Sequence, residues 1–556
     1  MDRKHNRIIY CLYFGAFLIL WVLLFWKCRY GFPLDETFYV LFCYRFMNGD
    51  IPILHEWNPT QVSAVWLHPF VWLFYKFSGS SEQVIIAFRY LFTAVWGLSS
   101  LFLFFRLKKL SLPGSAAASL LFLIYVPYGQ QALYYNTIGL ITFTCAAAII
   151  ITAEKNKNIQ YVIAGFLFAV AVTCCPFLLL LYMIFFVAAI VSLLRKNKEL
   201  FKLFCFVTLG TIPAVIIFYC YYILPSSIKE FVGGLHYLME DREHQFTYLG
   251  KVIGFFKSII NSSIAVKYVV LLIAAAILFA LLKKTEKVRI SGLIVTCVSV
   301  IALDAAYLME TGTSNFSVMF TPLFVGLYCG LLTKDQTAKR VFRFMWLPGL
   351  IYMFCINISS TVGFDAVVIP GLICTFASCF LAVLFWKENT AKENKGKINK
   401  LAVFAVMGLF LLTLGSETFA RSTFVYGAGR LDDLTAKIEQ GPYKNLYCAP
   451  KTYERYSAIV RDLEPLKADG SKKVLLLTYY WFYLDINSKP TTSSCNFPFV
   501  DDIFLDQLEE YYQLYPQFVP DVIYVGHNHT DLLERVKSYG YFGEQTELGG
   551  YILYRK

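Results

Sequence analysis

The feature that most limits how this chain folds is a succession of apolar runs. They lie at roughly 8–26, 84–105, 115–130, 137–153, 160–175, 177–194, 203–224, 265–282, 290–308, 316–333, 344–360, 366–386 and 401–416. Runs of this length match the hydrocarbon thickness of a bilayer, where a helix satisfies its own backbone without water. A mean hydropathy of +0.55 exceeds what a water-soluble core demands, so lipid is the solvent for most of the chain. The direct reading is thirteen spans; the runs flanking Pro176 are short, and a re-entrant hairpin there lowers the count to eleven.

Loop charge tests this threading, because cytoplasmic loops carry the excess of Lys and Arg. Every second loop is basic: Arg106, Lys108 and Lys109; Lys155 and Lys157; Arg195, Lys196, Lys198 and Lys202; Lys283, Lys284, Lys287 and Arg289; Lys334, Lys339, Arg340 and Arg343; and Lys387 through Lys400. The connections between them, near 130–136, 173–176, 310–315 and 359–365, hold no Lys or Arg. A missed span would invert the later loops, so the alternation supports an odd number of spans with the N-terminus cytoplasmic. The formal charge of +12 is thereby read as topological, and no nucleic-acid partner is expected. Arg3, Lys4 and Arg7 precede a first run too long for a usual signal-peptide core and followed by no small-residue cleavage site, which describes a retained signal anchor.

Two outer loops are long, 27–83 and 225–266, and each contains an amphipathic stretch. In the first, Asp35 precedes Phe38, Leu41, Phe42 and Phe46 at helical spacing, with Gly49 as a stop, the pattern of a helix lying on the membrane surface. In the second, Val252, Phe255, Phe256, Ile259 and Ile260 form a similar stripe. Beyond the membrane part, residues 1–416, the composition changes. Residues 417–556 alternate strand-like runs at 473–478, 521–525 and 551–554 with helical patterns at 451–466, 503–514 and 530–539, which predicts an extracytoplasmic α/β domain. Thirteen of the fifteen cysteines fall in or beside apolar runs and read as small buried apolar groups; Cys448 and Cys495 alone lie where a disulfide is permitted. There is no evident internal repeat.

The chemistry-bearing motif is Pro33-Leu34-Asp35-Glu36-Thr37-Phe38-Tyr39, adjacent carboxylates at the exit of the first span. An Asp at a helix start is also a plain N-cap, and that role alone accounts for it. The order of motifs resembles the GT-C glycosyltransferases that use polyprenyl-phosphate sugars, such as lipid A aminoarabinose transferases and protein O-mannosyltransferases. The resemblance rests on Asp35-Glu36, the Asn48-Gly49-Asp50 turn, Ser78 to Glu82, Arg89, Tyr135-Asn136-Thr137 and Thr173 to Pro176, and covers the membrane part. It implies a hexosyl- or pentosyl-type transferase, moving a sugar with inversion from a polyprenyl-phosphate donor to a hydroxyl of an envelope lipid, glycan or protein outside the cell. Asp35 would then serve as general base and Glu36 would orient the acceptor.

The leaving phosphate needs positive charge. Lys229, Arg242, His244 and Lys251 supply it in the second outer loop, where a solvated charged turn is the equal alternative. His55, Glu56 and His68 have ligand types that suit zinc or manganese, though not the spacing that places two on one helix face; they are candidates for an acceptor subsite or a divalent metal. The related families carry a basic residue followed by Pro-Pro here, where this chain has Glu56-Trp57-Asn58-Pro59. Asp304 is an intramembrane carboxylate near an outer end, expected to reach the interface beside Glu310. His527 and His529 follow a strand, where a loop binds a ligand or simply turns. Two other functions fit less well. A lipid-linked glycan polymerase or ligase does not call for Asp-Glu after the first span, and a transporter calls for broken helices at the midplane and repeated halves.

Overall fold

The computed structural model describes residues 3–33, 35–154, 157–239, 247–260, 264–311, 321–359, 364–390, 396–425, 427–467, 472–494 and 502–556. Among the described residues, each of the thirteen apolar runs coincides with a helix over most of its length. Among the described residues, ten helices are long and apolar enough to cross a membrane, and Leu112–Ile124, Val269–Lys283 and Leu323–Leu332 are shorter apolar ones. This is a multi-pass helical membrane protein with a small C-terminal α/β domain.

The chain opens with α1 (Arg3–Lys27), α2 (Glu36–Met47), α3 (Ala64–Ser78) and α4 (Val84–Leu107). Gly79, at φ +68, ends α3 in the left-handed conformation that a Cβ disfavours. Burial sorts the later helices by place in the bundle. Along Leu179–Leu194 only Ala189 is buried, whereas the stretch Val368–Thr390 is largely covered by its neighbours. Helices Lys157–Cys174 and Lys198–Phe218 approach each other through glycines. A Cβ on Gly165 would strike the Val207 carbonyl, and one on Gly210 would strike the Val162 carbonyl.

The last long helix, Lys397–Thr423, carries the chain into the C-terminal domain. Two short hairpins follow, β1 (Phe424–Val425) with β2 (Gly429–Arg430), and β3 (Ala436–Lys437) with β4 (Tyr447–Cys448). The main sheet comprises β5 (Val474–Leu477), β6 (Val522–Val525), β7 (Tyr541–Gln545) and β8 (Tyr551–Arg555), in the order β5-β6-β8-β7. β5 and β6 are parallel and wholly buried; β8 runs antiparallel to both β6 and β7. Helices Pro450–Lys467 and Asp502–Leu514 match the helical patterns, but the expected helix at 530–539 shortens to Leu533–Ser538 after a 3-10 turn at His527–Leu532. Cys448 is a free buried thiol, and Cys495 lies outside the described residues.

The domain docks on the first long loop. Gly31 N donates to Tyr447 O (2.8 Å) and Tyr447 N to Arg29 O (2.7 Å), so the segment leaving α1 pairs like a strand with the edge of β4. α2 exists where expected but not as a helix lying open on a surface. Its Thr37, Val40, Leu41, Phe42 and Cys43 are buried, and Phe38 stacks on Tyr480 of the domain. The aromatic stripe that reads as lipid-facing is covered by protein instead.

Candidate functional site

The exit of α1 wraps around one guanidinium. Arg89 of α4 donates to Cys28 O, Tyr30 O and Gly31 O, each at 3.1 Å, and its Nε reaches Glu36 Oε1 at 2.6 Å. Both side chains are buried. A buried pair is tolerated when its remaining hydrogen-bonding capacity is met, and here the backbone carbonyls beyond α1 meet it. Glu36 is thus held by Arg89, and through it the turn that carries Asp35 is fixed to α4.

Asp35 occupies the N-cap position of α2 in helical conformation, φ −74 and ψ −25, and its side chain makes no capping hydrogen bond. The N-cap role predicted as the plain alternative is therefore not performed: the backbone carbonyl accepts from Phe38 N while the carboxylate faces the Gln130 side chain. By surface area Asp35 is exposed, yet protein packed around the turn desolvates the carboxyl and raises its pKa, with the Gln130 side chain opposing.

Three tyrosines stand beside this turn. Tyr39 stacks on Tyr134 (5.3 Å between centroids), Tyr135 meets both, and the charge of Asp35 acts on Tyr39 and Tyr134. Thr137 fixes the segment by accepting from Tyr134 N at 3.0 Å. Gln130 Nε2, Tyr134 OH and Asn136 Oδ1 are buried without a hydrogen bond of ordinary geometry among the described residues. A cavity of about 20 Å³, room for one water, lies between Lys27, Glu36, Arg89, Gln130 and Gln131. The structure thus brings together Asp35, Glu36, Arg89 and the Tyr135-Asn136-Thr137 stretch, far apart in sequence.

No family model and no curated protein matches the chain. Among solved structures, it is similar to the archaeal oligosaccharyltransferase AglB from Archaeoglobus fulgidus in complex with an inhibitory peptide and a dolichol-phosphate. The identity is 12% and the TM-score 0.47, over 98% of this chain and 74% of that one. It is also similar to the Archaeoglobus fulgidus oligosaccharyltransferase in the apo form, at 11% identity and TM-score 0.46, over 100% of this chain and 75% of that one.

The other sequence candidates sit elsewhere. Lys229 is exposed on the helix Ile228–Met239, which packs on the first loop where Gly234 meets Ile53 and Leu54 and Tyr237 stacks on Trp57 at 4.4 Å. Lys251 lies on the helix Tyr248–Ile260, its carbonyl accepting from Asn357 Nδ2 at 3.3 Å. Arg242 and His244 lie outside the described residues.

His55 and Glu56 belong to a junction between the first loop and the C-terminal domain that sequence reasoning missed. Arg45, fully buried, donates to Asp50 (2.7 Å), Glu56 (2.8 Å), His55 O (2.5 Å) and Thr492 O (2.5 Å). Glu56 also accepts from Ser493 Oγ (2.7 Å), Ser494 N (2.9 Å) and Ser494 Oγ (2.9 Å), so both its oxygens are engaged by protein donors. His55 Nδ1 accepts from Ile51 N at 2.9 Å, and its ring packs edge-on against Tyr515 and Phe518. Burial lowers its pKa to about 4, so it is a neutral core histidine. His68 packs apart from them on Tyr221. Among the described residues, no three of His, Cys, Asp and Glu gather where a metal would be held.

Asp304 does not reach an interface as expected. It is fully buried and accepts at 2.6 Å from Thr321 Oγ1, in the turn that precedes the helix Leu323–Leu332. The signal that would have located the junction is the run Thr491-Thr492-Ser493-Ser494, rich in hydroxyls but with no local partner in sequence.

Proposed function

We propose that this protein transfers a sugar from a polyprenyl-phosphate donor to a hydroxyl of a cell-envelope lipid, glycan or protein at the extracytoplasmic face, inverting the anomeric centre. Asp35 is the base. The observation that carries this reading is a carboxylate that stands at a helix start, makes no cap, and has a raised pKa beside the polar side chains of Gln130, Tyr134 and Asn136. A base works best with its pKa nearer the operating pH, and desolvation moves Asp35 in that direction.

The proposed steps are these. The acceptor hydroxyl approaches at the exposed rim, since the inner cavity admits only water. Asp35 takes its proton as the oxygen bonds to the anomeric carbon, and the donor's phosphate leaves with the bonding electrons. Lys229 and Lys251, with Arg242 and His244 of the same loop, are the groups assigned to the departing phosphate. Glu36 contributes by holding the Asp35 turn through Arg89. The motif resemblance supports the same donor class, and a lipid-borne donor suits a site where nucleotide sugars are not supplied.

Membranes containing wild type or Asp35→Asn, given a polyprenyl-phosphate sugar, test the assignment. Transfer is expected to fall by about 10²- to 10⁴-fold in the variant. Equal transfer by the two removes Asp35 as the base.

A further inference from the structure

The histidine turn after β6 forms a second cluster, remote in role from Asp35. β5 and β6 are parallel and end in register, Leu477 opposite Val525, and Gly526 N donates to Leu477 O at 3.0 Å. A Cβ at 526 would lie 3.3 Å from Leu477 O and from Thr478, so glycine lets the turn begin directly over the segment leaving β5. Two loops therefore diverge from the carboxyl ends of adjacent parallel strands, the place where open α/β sheets receive ligands. One carries Tyr479 and Trp481, the other His527, Asn528 and His529.

The side chains there are of one chemical kind. Arg455, exposed on the helix Pro450–Lys467, lies over the Tyr479 ring at 4.8 Å, and Tyr479 stacks on Trp481 at 4.3 Å with the planes 9° apart. Stacking uses the face of a guanidinium and leaves its N–H donors free at the edge. Arg535 of the same domain, by contrast, pairs with Asp506 and Glu509, whereas Arg455 meets no carboxylate among the described residues. Desolvation lowers the His529 pKa most; Asp531 raises it, and His527 and Arg455 lower it further. Arg455, His527 and Asp531 thus all lie near enough to His529 to influence it.

We propose that Arg455, His527, Asn528 and His529 bind the phosphate or carboxylate group of an anionic saccharide, with the half-buried Tyr479–Trp481 pair flanking its ring. All four supply hydrogen-bond donors, and a guanidinium beside them suits an oxyanion. Aromatic faces accept the C–H side of a sugar. The site does not depend on the transfer reaction assigned to Asp35.

Full-length protein in detergent, titrated calorimetrically with inorganic phosphate, galacturonate and galactose, tests it. Saturable binding of phosphate or galacturonate is expected, tightening as pH falls below the ordinary histidine value and His529 gains its proton, with galactose weaker by about tenfold or more. Phosphate alone assigns a phosphate ester, galacturonate alone an acidic sugar. Arg455→Met and His529→Gln should each weaken anion binding by about tenfold, while Arg461→Met, a charge removed from the same helix, should not. Equal affinity in Arg455→Met and wild type, or an equal loss in Arg461→Met, overturns the site.

Discussion

Arg89 shows how much can depend on one side chain at the residue scale. It is paired to Glu36 and bonded to three carbonyls, so Arg89→Met would strand a buried carboxylate and destabilise the protein by roughly 3–5 kcal/mol, read as a lower Tm in detergent. The double variant Arg89→Met/Glu36→Gln should recover part of that loss, because the stranded charge is gone. Asp35 gives a pH prediction. Its pKa is raised and the base must be ionised, so transfer should fall as pH drops through a point above the ordinary value of an aspartate, and Glu36→Gln should retain that profile. His55 gives another. Its native pKa is about 4 against an ordinary value near 6.5, so the unfolded chain binds the proton first and stability is lost as pH falls from 6.5 toward 4. The loss approaches about 3 kcal/mol and should be absent in His55→Gln, measured by thermal unfolding across that window. Sequence identified Asp35 as a carboxylate at a helix start; whether the side chain caps that helix depends on a backbone angle, which no spacing reveals.

Elements were legible wherever periodicity met a uniform environment. The apolar runs and the buried strands β5 and β6 read directly, because lipid or core surrounds them on all sides. β7 did not: Tyr541 is buried and the next four residues are exposed, so this edge strand shows no alternation. α2 was found but misplaced, since an apolar stripe is the same whether a bilayer or Tyr480 covers it. Packing between helices makes its own prediction at this scale. The Gly165–Val207 and Gly210–Val162 approaches leave no room for a side chain, so Gly210→Leu must push Lys198–Phe218 away from Lys157–Cys174. A lowered Tm and reduced yield in membranes, with Gly254→Leu as a control that meets open space, would register it.

For the whole molecule the informative fact is that the first loop and the C-terminal domain share one buried polar junction. Arg45, Asp50 and Glu56 come from one end of the chain and Thr492 to Ser494 from the other, a pairing across more than 400 positions that local pattern cannot show. The same distance explains why Glu56 looked like a metal or acceptor ligand: its partners were out of sight. Glu56→Ala should leave Arg45 undercompensated, and faster proteolysis near residues 489–494 at unchanged membrane insertion would report the loosened domain. The junction also sets an order of events in biosynthesis. When α2 first leaves the ribosome, Arg45 has Asp50 and Glu56 but not the carbonyl of Thr492, and Glu56 still lacks Ser493 and Ser494. The stretch from Arg45 to Glu56 therefore cannot complete its bonds until residues 492–494 have been made and delivered to the same side of the membrane, so a copy interrupted before that point would be inserted with its first loop unfinished.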